Sequence, residues 1–357
     1  MGSKKTFIIA EIGTSHGGSL EKAKKLIRAA KDSGADCAKF QVVFADEIIH
    51  KNTGIVELPG GPTPLYSIFK NLEKDISFYK TLKDETESCG LTFMASPFGL
   101  KSADILESIS SDIFKIASPE LNHLPLIKKI VSYEKPLIIS SGVSKLEDIE
   151  RALSYVDISK TTLLHCITSY PAPESDYNLK LIPNLKNIFG VETGVSDHSL
   201  DPVLVPSLSV LLGAKVVEKH ICLSNETDGL DDPVALNPDN FKIMCNSIRK
   251  YEKLSYKKGI MELEMIYGRS KITKIVGCGV KKLAKSEEQN YGKTNRSLHA
   301  LKELTPGTIL TEENSALLRT EKVLRVGLPP HLVENFYGKK LTQKIPDGEG
   351  IKLEDFL

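Results

Sequence analysis

Glu192-Thr193-Gly194-Val195-Ser196-Asp197-His198 and Val216-Val217-Glu218-Lys219-His220 are two short β-rich runs, each closing in polar residues and a histidine. The longest apolar stretch, residues 203–217, lies between them; Pro206 and Lys215 interrupt it, and it is too short to cross a bilayer. Upstream, similar runs recur at 6–12, 38–42, 92–95, 113–116, 137–140 and 162–166. They alternate little between apolar and polar residues, as strands covered on both faces of a parallel sheet do. Helical patterns separate them. Leu20, Ala23, Leu26, Ile27 and Ala30 form one apolar stripe with Ser19 placed to cap it, and Ser144 with Glu147 reads as a capping box. Eight β-then-α units predict an α/β protein built on a closed (β/α)8 TIM barrel. A doubly wound open sheet also alternates, but its G-x-G-x-x-G fingerprint is missing.

A length of 357 residues leaves room for about two domains. With 41% hydrophobic and 26% charged residues, collagen-like, low-complexity and disordered chains are excluded. Lys+Arg 47 against Asp+Glu 46 leaves +1, so coating a nucleic acid or an anionic membrane is not its business, and any anion site is local. The six cysteines form no C-x-x-C pair, which points to reduced thiols in the cytoplasm. The apolar run after Lys4 and Lys5 stops at Glu11, unlike a signal peptide. Met1 to Thr6 fits a loose myristoylation pattern, although Thr6 already opens the first strand run.

The barrel is assigned residues 1–280. Its one long connection, 44–75, contains Leu58-Pro59-Gly60-Gly61-Pro62-Thr63-Pro64 and is expected to be a lid or an oligomer contact. Residues 281–294 are polar and read as a linker. Residues 295–357, with turns at Thr305-Pro306-Gly307 and Pro346-Asp347-Gly348, form a second module too small for a comfortable core of its own.

In such a barrel the strand C-termini converge on one face, and here each closes in polar residues. Lys39 and Lys115 lie inside apolar runs, so each must face something negative. A small polyanion such as a phosphorylated carboxylate would suit the pair; a structural pairing of Lys115 with Glu120 is the alternative. His198 and His220 close neighbouring strands and could share one ion, with positions left open as in a Lewis-acid Mn²⁺ or Mg²⁺ site, or serve as hydrogen-bonded core histidines. Cys166 reads as a buried structural thiol.

The ordered words Ala10-Glu11-Ile12-Gly13 with His16-Gly17, Lys39-Phe40-Gln41, Lys115-Ile116-Ala117-Ser118, Tyr170-Pro171, Ser196-Asp197-His198 and Glu218-Lys219-His220 resemble the sialic acid synthase family, the nonulosonate synthases. Arg296-Ser297-Leu298 and Gly327-Leu328-Pro329-Pro330 resemble its small antifreeze-like (SAF) domain. The resemblance implies condensation of phosphoenolpyruvate with the aldehyde of an N-acylated hexosamine and water, releasing phosphate by C–O cleavage. It implies a divalent ion, Mn²⁺ first and Mg²⁺ or Co²⁺ otherwise, on His198 and His220. Lys39, Lys115, Ser96, Ser118 and Ser141 would hold phosphoenolpyruvate. Glu11 and Glu218 would grip hydroxyls or manage protons, with Lys115 counted beside them as catalytic. Gln41, Glu120, Tyr170 and Asp231 would line the sugar or metal side. Arg296, carried by the SAF domain of a partner subunit in a homodimer, would reach the sugar. Ser15 and Gly99 stand where the family often has Asn and Asp; Thr168 stands where some neuraminate-forming members place an Asn for the N-acetyl group, so a sugar other than N-acetylmannosamine is expected. Two rivals are a Schiff-base aldolase using Lys39, Lys115 or Lys219, and a non-catalytic carbohydrate- or ice-binding protein.

Overall fold

Eight parallel strands close into one barrel in a computed structural model describing residues 5–58, 61–226 and 229–357. They are β1 (Phe7–Gly13), β2 (Cys37–Val42), β3 (Thr92–Pro97), β4 (Phe114–Ile116), β5 (Leu137–Ser140), β6 (Thr161–Cys166), β7 (Glu192–Asp197) and β8 (Val216–His220). Each pairs with its neighbours in sequence, and β1 meets β8 with Glu11 opposite His220. The predicted (β/α)8 barrel is therefore what the chain forms. Residues 1–4 of the myristoylation-like pattern and the Pro59-Gly60 turn lie outside the described residues.

Ser19 caps helix Leu20–Ser33 by accepting the Lys22 N–H at 3.2 Å, and the helix buries Ala23, Leu26, Ile27 and Ala30. The capping box expected at Ser144 and Glu147 is displaced by one residue. Helix Leu146–Leu153 is capped from Asp148, whose carboxylate accepts the Lys145 N–H at 2.8 Å. Ser144 instead donates to the Ser141 carbonyl at 2.7 Å, drawn into the turn that leaves β5. The apolar stretch 203–217 becomes the buried helix Leu204–Leu211 and the start of β8. No helix among the described residues is long and apolar enough to cross a membrane.

Strand alternation sorts the barrel residues into two environments. Ile8, Ala10, Ile12, Ala38 and Phe40 join the large core between strands and helices. Ile9, Cys37, Met94, Ile138, Leu164 and Val216 form a separate apolar cluster that plugs the barrel interior. Two positions further along the same strands come Glu11, Lys39, Ser96, Ser140, Cys166 and Glu218, all buried. The plug thus forms the floor of a polar layer.

Beyond the barrel, β9 (Arg296–Ala300) pairs antiparallel with β10 (Ser315–Arg319) around a small core of Leu298, Leu304, Leu310, Leu328, Val333 and Ile345, which fits the expected SAF-type module. Gly307 and Gly348, at the predicted turns, have φ of 86° and 90°. The module rests on the long connection of its own chain. Ile49 bridges to Arg319, His50 lies 3.2 Å from Asp347, and the Asn52 amide donates to the Asp347 carbonyl at 2.8 Å. Within residues 281–294, Glu287 is fully buried.

Candidate active site

Lys39 and Lys115 rise from the floor on β2 and β4, and their surroundings differ. Lys39 Nζ lies 2.7 Å from Glu11 and 3.6 Å from Glu218, and donates to Ser96 Oγ at 3.4 Å. Each carboxylate is fixed from its other side: Gln41 donates to Glu11 at 2.8 Å and Ser196 to Glu218 at 2.9 Å. Lys115 donates to the Ile116 carbonyl at 2.9 Å and to Ser140 Oγ at 2.6 Å, both neutral. Burial pushes the Lys39 ammonium down, but Glu11 and Glu218 outweigh it and hold it above the usual lysine range. For Lys115 burial wins, and its pKa falls. Burial would raise Glu218, yet Lys115 and Lys39 hold its carboxyl well below the usual range. The pairing of Lys115 with Glu120 weighed from sequence does not form, because the turn Ser118–Glu120 carries that carboxylate out to the C-terminal module. Lys115 is left as a buried cation with no carboxylate in hydrogen-bond contact; Glu218, which Lys39 also faces, acts on it only at longer range.

Beside it, Ser118 Oγ accepts the Gly142 N–H at 3.0 Å, and Ser141 Oγ donates to the Leu164 carbonyl at 3.0 Å. A Cβ on Gly142 would stand 2.1 Å from Thr168 Oγ1 and 2.9 Å from Ser118 Oγ, so only glycine fits between them. Thr168, expected to face the sugar, has its hydroxyl buried against these groups without a partner.

Across the layer, the His198 and His220 rings lie 5.5 Å apart, with Tyr170 stacked on the first at 4.2 Å and edge-on to the second at 6.0 Å. His198 Nδ1 bonds the Ile167 carbonyl at 2.8 Å, which leaves Nε2 with the lone pair. His220 Nδ1 is buried without a hydrogen-bond partner, 3.9 Å from Asp231. Burial lowers both imidazoles, favouring the neutral form that binds metals. These donors fit a divalent ion, although no group of three or more His, Cys, Asp or Glu side chains suited to one is assembled among the described residues. Asp231 and Gln41 both come close to Gly13, which puts these two of the expected lining residues beside Glu11.

Three findings revise the site read from sequence. First, Lys219 is spent: it is fully buried on the outer face of β8, 2.6 Å from Asp197, so one of the three lysines of the aldolase reading is withdrawn. Second, Asp197 accepts the Tyr177 hydroxyl at 2.6 Å, and that hydroxyl accepts the His198 N–H at 2.7 Å, a support for His198 that motif reading missed. Third, Arg296 has no donor left for a sugar. Its guanidinium bonds Glu120 through Nε and Nη2, and the carbonyls of Phe98, Glu47, Ile48 and Leu317. Arg319, also unforeseen, shares the same Glu120 oxygen at 3.0 Å and lies 5.3 Å from the Phe98 ring. Arg296 and Glu120 therefore form a clasp between module and barrel within one chain. Cys166 is buried, its thiol raised to about 11 by that burial, as befits an unreactive sulfur.

The NeuB family model matches residues 26–259. The N,N'-diacetyllegionaminic acid synthase of Campylobacter jejuni is 35% identical over 98% of this chain and 99% of its own length. The human N-acetylneuraminate-9-phosphate synthase is 29% identical over 99% and 93%. Among solved structures, the spore coat polysaccharide biosynthesis protein SpsE of Bacillus subtilis superposes with a TM-score of 0.82 at 32% identity, covering 100% of this chain and 96% of that one. On the strength of the matched span, and of relatives that are synthases of legionaminic and sialic acids aligned nearly end to end, the chain belongs to the NeuB family of nonulosonate synthases.

Proposed function

We propose that the chain condenses phosphoenolpyruvate with the open-chain aldehyde of an N-acylated hexosamine, giving a nine-carbon 2-keto acid and phosphate. The observation that carries this reading is Lys115, a fully buried cation whose hydrogen bonds go only to neutral groups, across the barrel layer from two neutral imidazoles. Phosphoenolpyruvate supplies the missing anion. Its carboxylate and phosphate take charge-assisted bonds from Lys115 and Lys39 and further bonds from Ser96, Ser118 and Ser141. Carbon 3 forms the new bond to the aldehyde carbon, water adds to carbon 2, and the carbon 2–oxygen bond breaks as phosphate leaves.

A divalent ion held by His198 and His220, most simply Mn²⁺ with Mg²⁺ or Co²⁺ as substitutes, supplies Lewis-acid polarisation of the aldehyde oxygen. Glu11 and Glu218, each fixed by a neutral donor on one oxygen and by Lys39 on the other, are placed to hold sugar hydroxyls and to take or return the protons of water addition. Tyr170, stacked on His198, and Asp231 border the sugar side. A site this buried keeps bulk water from the electron-poor carbon 2 except for the one molecule that reacts. The working unit is a cytoplasmic homodimer. Supporting this are the marginal size of the small module and six free cysteines.

The test is to incubate the protein with phosphoenolpyruvate, Mn²⁺ and a panel of N-acyl hexosamines, measuring phosphate and keto acid together. Equimolar release that stops with chelator supports the reading; no phosphate with any sugar removes it. Sedimentation of the full chain reads the dimer.

A further inference from the structure

Residues 281–294 read as a linker in sequence, yet side chains of this segment and of Asn295, which follows it, reach deep into the barrel face. Glu287 is fully buried, and one of its oxygens accepts two backbone N–H groups from two different loops: Val143 at 2.8 Å, after β5, and Thr168 at 2.7 Å, after β6. The same segment takes the other side of both residues. The Asn295 amide donates to the Val143 carbonyl at 3.3 Å and the Asn290 amide to the Thr168 carbonyl at 3.3 Å. Lys281 Nζ donates to the Ser141 carbonyl at 3.4 Å.

Such a grip has a physical purpose at Val143. Its φ is 39°, a left-handed conformation that a β-branched residue adopts only when its surroundings impose it. That conformation follows directly on Gly142, whose N–H meets Ser118 Oγ, and on Ser141. The second loop runs from Ile167, whose carbonyl orients His198, through Thr168 to Tyr170, which stacks on His198. One carboxylate therefore ties the serine side of the site to the histidine side.

On the condensation proposed above, we infer that Glu287 is a positioning residue that clamps loops 141–143 and 167–170 together in the geometry that binds phosphoenolpyruvate. It touches neither substrate nor metal. An acceptor that is charged and can bridge two N–H groups is what both loops require, and a glutamine retains one such oxygen where an alanine retains none.

The experiment compares full-length wild type, Glu287→Ala and Glu287→Gln with Mn²⁺ present. Phosphate release at varied phosphoenolpyruvate should show kcat/KM for that substrate about 100-fold lower in the alanine variant and within about 10-fold of wild type in the glutamine variant. Hydrogen exchange read by mass spectrometry should rise in peptides holding 141–143 and 167–170 while β1 to β8 stay protected. Wild-type kinetics in Glu287→Ala, or exchange that rises equally through all the strands, would overturn the inference. If the alanine variant does not fold, Glu287→Met, which keeps the length of the side chain but no acceptor, decides: faster exchange confined to those two peptides supports the clamp, and unchanged exchange overturns it. If wild type releases no phosphate with any sugar, the condensation fails, and calorimetry of phosphoenolpyruvate binding judges the clamp separately. Affinity weakened at least about 10-fold in Glu287→Ala supports it, and unaltered affinity overturns it.

Discussion

Two layers stand one above the other inside the barrel and divide its labour. Ile9, Cys37, Met94, Ile138, Leu164 and Val216 form the lower layer, and the residues two positions along the same strands, Glu11, Lys39, Ser96, Ser140, Cys166 and Glu218, form most of the upper. The lower one gains stability by removing apolar surface from water; the upper one spends it by burying ionic groups. The same backbone and the same depth of burial serve both, so the difference lies in side-chain chemistry alone. A substitution in one layer should therefore harm what the other leaves untouched.

The largest contrast is expected at Lys115. Lys115→Met removes a buried ammonium that hydrogen-bonds no carboxylate and leaves Glu218 still paired with Lys39, so activity should fall about 1,000-fold while the thermal midpoint stays level or rises, measured by phosphate release and calorimetry on the same sample. Loss of activity together with a collapse of the fold would break the division. Lys39→Met should behave differently, because it takes from Glu11 and Glu218 the ammonium that both face. Denaturant unfolding should register a loss of about 3–5 kcal/mol besides the lost activity. In the lower layer, Leu164→Ala should cost about 2–5 kcal/mol, yet the fraction that remains folded should keep a near-normal KM for phosphoenolpyruvate.

The smallest effect concerns pH, at a distance from both layers. His123 caps helix Leu124–Val131 by accepting the Leu126 N–H at 3.2 Å, and burial, helped by Arg296, lowers its pKa to about 3. The folded chain holds it neutral whereas the unfolded chain protonates it near 6.5, so its contribution is complete above about pH 6.5 and declines as the pH drops toward 3. His123→Asn, which keeps a capping oxygen, should flatten the acid slope of stability between those values. An unchanged slope would assign that dependence to other groups.

Much of this was legible in the sequence, for a physical reason. Strands covered on both faces have to be apolar, and a polar residue that interrupts them at the C-terminal end has to be satisfied or used. Runs such as 38–42 and 216–220 thus announced both the barrel and the polar residues that line its upper layer. What stayed hidden depends on contacts between distant segments. Nothing near Arg296 in sequence reveals that Glu120 and the carbonyls of Glu47, Ile48 and Phe98 consume its donors. Nothing near Glu287 discloses Val143 and Thr168. Lys219 reads like Lys39 along the chain, and only the phase of the strand turns it outward onto Asp197. The cap at Asp148 shifted by one residue because Ser144 found a closer acceptor in Ser141.

The most direct measurement uses phosphoenolpyruvate carrying ¹⁸O in its bridging oxygen, incubated with the protein, Mn²⁺ and an N-acyl hexosamine that turns over, with the phosphate read by ³¹P resonance. Attack from carbon 3 followed by water at carbon 2 predicts that every phosphate released bears the label. Phosphate released without it would mean that the phosphorus–oxygen bond breaks, and that the buried lysines serve some other reaction.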